Sequence, residues 1–325
     1  MGYGKIRRWY NENKGKIWLV VVIAIGIIFF VQVLNNYYNN KNQGNVIKTT
    51  LSNTTNLERI NENLSSGKAE TSTSAISGIA VSSEKLEQAT KIIDIFIGYC
   101  NDKKIEEAYS ILTDECKEVF YPTINDFKEI YYDDLYSSEK TYKLQNWAGN
   151  TYKVTLMEDA LSTGMTGANL GTYQDYITIV NKNGINKINI NSYIGRTNIN
   201  KTTTKKDIVF NVMYKDTFMD YETYNIDIKN LSGKTILLDD GESTKSIVIQ
   251  DDNSISSYVY TGEIMYSDLD LKNGQEKIYE FKFANSYTVT RIMRYIIFER
   301  VITDYEQYKE NKEIYQQIEK IYVNV

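Results

Sequence analysis

Serine and lysine three residues apart, the spacing used by penicillin-binding acyl-enzymes, occur at Ser65–Lys68, Ser82–Lys85 and Ser137–Lys140. Neither the Ser-Asp-Asn nor the Lys-Thr-Gly partner motif accompanies them. A chain this rich in Ser and Lys produces the spacing by chance, so the three read as incidental. Gly233-Lys234-Thr235 matches the end of a phosphate-binding loop, but the first required glycine falls on Ile228. The cradle of backbone N–H groups is therefore not encoded, and the stretch reads as a hairpin turn. Carboxylates cluster at Asp133-Asp134, at Asp239-Asp240 with Glu242, and at Asp251-Asp252. None has calcium-loop spacing, and all read as turn and loop residues. A general acid–base pair needs two carboxylates in different environments of one cleft, which spacing alone does not show. Histidine is absent. That removes Ser-His-Asp and Cys-His catalysis and histidine-ligated zinc. No metal site, no cofactor and no enzymatic activity are expected.

The two cysteines, Cys100 and Cys116, are too few for a four-thiolate zinc site. Outside a cell they could close a loop of about sixteen residues, worth roughly 3 kcal/mol in the chain-entropy model; otherwise they are two buried free thiols of a helical pair. Tyrosine is abundant, at 28 residues. Tyr131, Tyr132, Trp147, Tyr152, Tyr173 and Tyr176 could line an aromatic pocket for a small ligand, a wall glycan or a peptide, with Asp175 as a polar group in it. The same rings read more simply as core and interface packing.

Elements that would position these residues begin after a basic N-terminus. Residues 1–16 carry Lys5, Arg7, Arg8, Lys14 and Lys16 against Glu12 alone. Ile17 to Leu34 follows, 18 residues without a charge, about the minimum for crossing a bilayer. It is too long for a signal-peptide core and lacks a small-residue cleavage site. Residues 17–34 are read as a transmembrane helix in contact with the lipid bilayer. The charge asymmetry puts the N-terminus in the cytoplasm and residues 35–325 outside the cell. That outer part carries 32 basic and 41 acidic residues. Its net charge of −9 argues against nucleic acid as a partner. Residues 35–82, rich in Asn, Ser, Thr, Gly and Lys, read as a flexible stalk.

From Ser83 apolar residues recur at helical spacing: Leu86, Ala89, Ile93, Phe96 and Cys100. Ser82 or Ser83 supplies the N-cap. A second helix is expected around Ile105, Ala108, Tyr109 and Leu112, and a short third from near Thr123. Strands are expected at 143–147, 152–161, 173–180 and 185–194, with Gly149-Asn150 and Asn183-Gly184 as turns. Gly164, Gly167 and Gly171 fall in a flexible hairpin loop. Residues 198–206 read as a linker. Beyond it, period-two patterns such as Tyr224/Ile226/Ile228 and Tyr279/Phe281/Phe283 predict a β-sandwich over 207–303, and 304–325 reads as a C-terminal helix. The fold class expected is therefore a membrane-anchored chain with one N-terminal transmembrane helix, an α+β cone-shaped domain over 83–197, and an all-β sandwich with a C-terminal helix.

The segment from Lys91 to Phe127, with Glu106-Glu107-Ala108-Tyr109 and Leu112-Thr113 at its centre, resembles the nuclear-transport-factor-2-like (cystatin-like) fold over about 83–197. The stretches NLSGKTILLDD and DLKNGQEKIYEFKF look like strand-turn-strand segments of immunoglobulin-like domains on bacterial surface proteins. The whole plan is similar to the bitopic assembly components of Gram-positive conjugative type IV secretion machines, except that the second domain reads as a sandwich and not as a repeat of the first. This resemblance implies a non-enzymatic, membrane-anchored scaffold or assembly subunit of an envelope complex, whose partners are other envelope proteins or further copies of itself. An extracellular ligand-binding or sensing module using the aromatic cavity is the alternative.

Overall fold

The computed structural model describes residues 67–71, 74–78, 81–158, 172–243, 245–258, 264, 266–289 and 291–325. The apolar run 17–34, most of the 35–82 stretch, and Gly164, Gly167 and Gly171 lie outside the described residues. No helix among the described residues is long and apolar enough to cross a membrane.

Strand β1 (Gly67–Thr71) lies within the stretch expected to be a stalk and pairs in parallel with β2 (Lys140–Ala148). Helix α1 (Ser83–Asn101) starts where the pattern places it, and the Ser82 hydroxyl accepts the Lys85 N–H at 3.3 Å. This cap satisfies one of the open N–H groups of the first turn. Two short helices follow, α2 (Ile105–Ile111) and α3 (Asp114–Phe120), the latter capped by Thr113. α4 (Ile124–Phe127) opens with a capping box, Thr123 and Asp126 bonding each other's backbone N–H. It runs through a π-helical turn (Lys128–Tyr132) into α5 (Asp133–Leu135). Antiparallel strands β3 (Thr151–Glu158), β4 (Thr172–Lys182) and β5 (Ile185–Asn189) complete a five-stranded sheet in the order β1-β2-β3-β4-β5. α1 lies across β2 and β5 and buries Ile93, Phe96, Ile97 and Cys100 completely.

The remainder is two sheets. Strands β6 (Tyr193–Lys205), β7 (Ile208–Phe218), β8 (Tyr221–Asn230) and β13 (Glu276–Ala284) form a four-stranded sheet in the order β13-β8-β7-β6. Opposite it, β9 (Ile236–Leu237), β10 (Ile247–Asp251), β11 (Ser256–Tyr258), β12 (Asp270–Leu271), β14 (Met293–Ile302) and β15 (Ile318–Asn324) form the second. Phe210, Ile226, Ile228, Phe281 and Phe283 of the first sheet meet Ile249, Ile296, Phe298, Ile321 and Val323 of the second in one buried core. Phe298 touches both Phe210 and Phe281, with ring centroids 5.2 and 5.4 Å away.

Three expectations are corrected. The described residues are mostly β-sheet, in three sheets, with few helices. That is not the α+β cone followed by a separate sandwich that was expected. Residues 198–206 are not a linker between domains: 193–205 is one continuous strand, because Thr202 to Lys205 pair with Ile208 to Asn211 across a tight turn. The C-terminal helix is replaced by a six-residue helix, α6 (Tyr305–Glu310), and by β15, which pairs antiparallel with β14. Ile318 and Ile321 suit a helix face, but Ile321 and Val323 are buried while Lys320, Tyr322 and Asn324 are exposed. That is the period of a strand.

Candidate functional site

The sequence-selected aromatic residues fall into several local contacts among the described residues. Tyr131 is buried, its ring stacked on Phe127 at 5.4 Å and tilted against Phe96 at 6.1 Å. Tyr132 stacks on Tyr136 at 5.7 Å, and Tyr152 is buried in β3. Trp147 and Tyr176 are brought together, ring edge against face, at 5.2 Å. Tyr173 is half-open and borders a shallow cleft of about 190 Å³ with Lys140 and Glu158. Asp175 is buried and accepts the backbone N–H groups of Tyr176 (2.7 Å), Asn191 (2.8 Å) and Ser192 (2.8 Å). Asn191 and Ser192 both have positive φ, +56° and +60°, so Asp175 pins a left-handed turn between β5 and β6. Burial pushes its carboxyl up to about 6, against the pull of those three donors.

Cys100 and Cys116 are buried free thiols. Burial pushes each up to about 12, so neither is a ready nucleophile. The Ser-x-x-Lys spacings resolve into structural contacts where they are described. Ser82 caps α1, and the Lys85 ammonium donates to the Gly149 carbonyl at 3.0 Å. Lys140 donates to Ser138, not Ser137, at 2.9 Å and pairs with Glu158 at 3.3 Å. Lys234 pairs with Asp304 at 2.7 Å. Asp240 takes a bidentate Arg300, and Asp239 accepts the Ser246 hydroxyl. Among the described residues, no group of three acidic or cysteine side chains is placed to hold a metal ion.

A cleft among the described residues lies elsewhere, on the outer face of the four-stranded sheet. A bulge between Val212 and Tyr214 reverses the facing of β7. Tyr214 and Asp216, which simple alternation would send into the core with Phe210 and Val212, therefore face outward. They join two cross-strand rows. One is Arg196–Asp216–Thr223–Lys282 and the other Asn198–Tyr214–Asn225–Glu280, each running over β6, β7, β8 and β13. The end of α3, Glu118 to Phe120, stands over these rows as a wall, and the space between holds a cleft of about 290 Å³.

One end of the cleft is locked. Arg196 donates to Asp216 through Nε at 2.9 Å and Nη2 at 2.8 Å, and to Glu118 through Nη1 at 2.9 Å. The Tyr193 hydroxyl donates to Asp216 at 2.6 Å. Asp216 is 2% exposed, so this is a buried fork-to-carboxylate pair with its remaining lone pairs used. Burial pulls the Arg196 pKa down, but the bonds to Asp216 and Glu118 outweigh it and raise it. The guanidinium also lies 3.7 Å from the centre of the Tyr214 ring. Glu118 is an exposed partner and adds little. At the other end the Lys282 ammonium sits 4.0 Å from the centre of the Tyr221 ring, which stacks on Phe218 at 4.2 Å. Asn225 donates to Glu280 at 3.2 Å. Between the two ends lies Thr223, 3% exposed, whose hydroxyl has no hydrogen-bond partner.

The lining contains no nucleophile with a base beside it, and its buried carboxylate is already committed to Arg196 and Tyr193. What this arrangement can do is recognise: ring faces, paired charges and an amide–carboxylate pair in one concave place. Sequence reasoning missed every residue of it. Set against family models, curated proteins and solved structures, the chain matches none.

Proposed function

We propose that the protein is a non-enzymatic scaffold or assembly subunit of a bacterial envelope complex of the conjugation or secretion kind, held at the cell membrane through residues 17–34 with residues 35–325 outside. The observation that carries this reading is the junction formed by β6. Domains joined by a flexible linker move relative to each other by default. Here the joining segment is a 13-residue strand. Its first residues pack on β4, β5 and α3, and its length pairs with β7. Arg196 then ties β6, β7 and α3 together through a buried ion pair. A body braced in this way holds neighbouring subunits at a fixed spacing, which is what an assembly part must do. The basic tail, the apolar run and the polar composition of residues 35–66 support the placement outside an attached membrane.

A second reading, an extracellular ligand-binding or sensing module, is favoured by one specific observation, the cleft of about 290 Å³ lined by Phe120, Arg196, Tyr214, Tyr221, Asn225 and Lys282.

Light scattering on the full chain, extracted gently from its native membranes, tests the scaffold reading. One copy weighs 37.6 kDa. The expected protein mass is well above that, from self-association or bound partners. A particle containing a single copy and no other protein contradicts it.

A further inference from the structure

Loops at one end of the sandwich expose apolar side chains that no requirement of the fold places there. Ile255, Val289 and Ile292 are 53%, 48% and 64% exposed. Backbone bonds bring Ile255 and Ile292 together. The Asp251 N–H donates to the Ile255 carbonyl at 3.1 Å, and the next N–H, of Asp252, donates to the Ile292 carbonyl at 3.0 Å. Val289 stands three residues before Ile292 and closes a turn, its N–H donating to the Ser286 carbonyl at 3.0 Å. All three bonds are made by backbone alone, so polar side chains would serve these loops equally well. Turns favour Gly, Pro, Asn, Asp and Ser, not β-branched aliphatics. Apolar surface gathered and exposed in one place marks a contact site.

The neighbouring charges indicate what is contacted. Arg291 and Arg294 bracket Ile292 and Met293, and Met293 is half-buried opposite Asp251 in the ladder. The described residues hold four arginines. Arg196 and Arg300 are committed to Asp216 and Asp240 within the fold; Arg294 is exposed and Arg291 half-buried, both at this end. Asp252 is exposed beside them, whereas Asp251 is buried and accepts the N–H groups of Asn253 and Ile255. Asp220 lies beside Asn285, four residues before Val289. Arginine among aliphatic side chains suits a phosphate-bearing surface: its stem lies along apolar groups while its guanidinium fork bonds phosphate oxygens. The patch is also small. Three aliphatic side chains fall well short of the ~800 Å² that each partner of a stable protein complex buries. A chain already held at a bilayer needs only a weak second contact, because the first sets a high effective concentration.

We propose that this end of the sandwich docks on the lipid bilayer, with Ile255, Val289 and Ile292 entering the boundary between head groups and acyl chains and Arg291 and Arg294 bonding lipid phosphates. The proposal rests on the membrane placement through residues 17–34 and adds a second contact with the same bilayer.

The test places the full chain in nanodiscs of phosphatidylcholine mixed with phosphatidylglycerol, with a fluorophore on Asn253→Cys in the loop between Asp252 and Ile255. A parallel sample carries the fluorophore on Lys272→Cys, at the other end of β13. Both positions are exposed, and the native thiols, buried and raised to about 12, do not compete for the label. Nitroxide-bearing lipids should quench the label at 253 several-fold more strongly than the label at 272. Ile292→Asn, at an exposed position with little effect on folding, should remove most of that difference, and Arg294→Glu should reduce it. Equal quenching at the two positions, or a difference that both substitutions leave intact, overturns the proposal. Blue-shifted emission at 253 without lipid quenching means that a protein covers the patch, and overturns the lipid assignment. Failure of the chain to enter the nanodiscs is a separate result: it contradicts the membrane placement itself, and the docking falls with it.

Discussion

Asp175 sets two physical effects against each other at a single residue. Three backbone N–H groups favour its carboxylate, and complete burial disfavours it; burial prevails, lifting the group from an ordinary value near 3.8 to about 6. A carboxyl whose folded pKa is raised binds its proton more readily in the folded chain than in the unfolded one. Its contribution to stability is therefore most favourable at low pH and declines as pH rises through the window from about 4 to about 6. Other carboxyls shift the opposite way, among them Asp240, which burial raises but the Arg300 bonds bring below its usual range. The informative quantity is therefore the difference between the native protein and Asp175→Asn, which has no group to titrate. Urea unfolding at pH 4.5 and pH 7 should show the native protein losing roughly 2 kcal/mol relative to the variant as pH rises. A difference that stays flat, or grows with pH, would show that the three donors prevail. The sequence marked Asp175 as a polar residue among rings, but its task, pinning Asn191 and Ser192 in left-handed conformation, depends on a turn inside what reads as one strand over 185–194.

Elements were legible where one pattern extended over many residues without interruption. α1 carries five apolar positions at helical spacing and a serine cap, and β8 and β13 alternate cleanly, so these were read correctly. The failures sit where a pattern is short or interrupted. β15 is an example: its decisive feature is the pair Ile321 and Val323, two residues at the end of a stretch that also fits a helix through Ile318 and Ile321. The two assignments differ on Val323, which is 0% exposed in the strand next to the exposed Tyr322. Val323→Ala should cost roughly 1–3 kcal/mol through lost burial and a residual cavity, and Tyr322→Ala within about 0.5 kcal/mol. Chemical denaturation of the two variants measures both; equal effects would contradict the strand. The candidate site was illegible for a related reason. The β7 bulge reverses which of its residues face out, and the continuity of β6 was hidden by its Asn- and Thr-rich composition. Without both, Arg196 and Asp216 do not meet, and neither cross-strand row exists on paper. Thr223 gave no signal at all, since an unpaired hydroxyl is a property of its surroundings.

At a larger scale, the five-stranded and four-stranded sheets are coupled through one long strand and one buried ion pair, and the four-stranded and six-stranded sheets through a shared buried core. α1 packs on the five-stranded sheet and α3 lends a wall to the outer face of the four-stranded sheet, so the cleft exists only because the parts are fixed together. The same bracing underlies both functional readings: it spaces partners in an assembly, and it shapes a recess for a ligand. The assembly claim is the central one. Its most direct test is chemical cross-linking in native membranes, followed by capture of the tagged full chain and quantitative mass spectrometry of what accompanies it. The scaffold account predicts recovery of other envelope or secretion subunits, or cross-linked copies of the chain itself, at near-stoichiometric amounts. Recovery of single copies with only trace companions would contradict it.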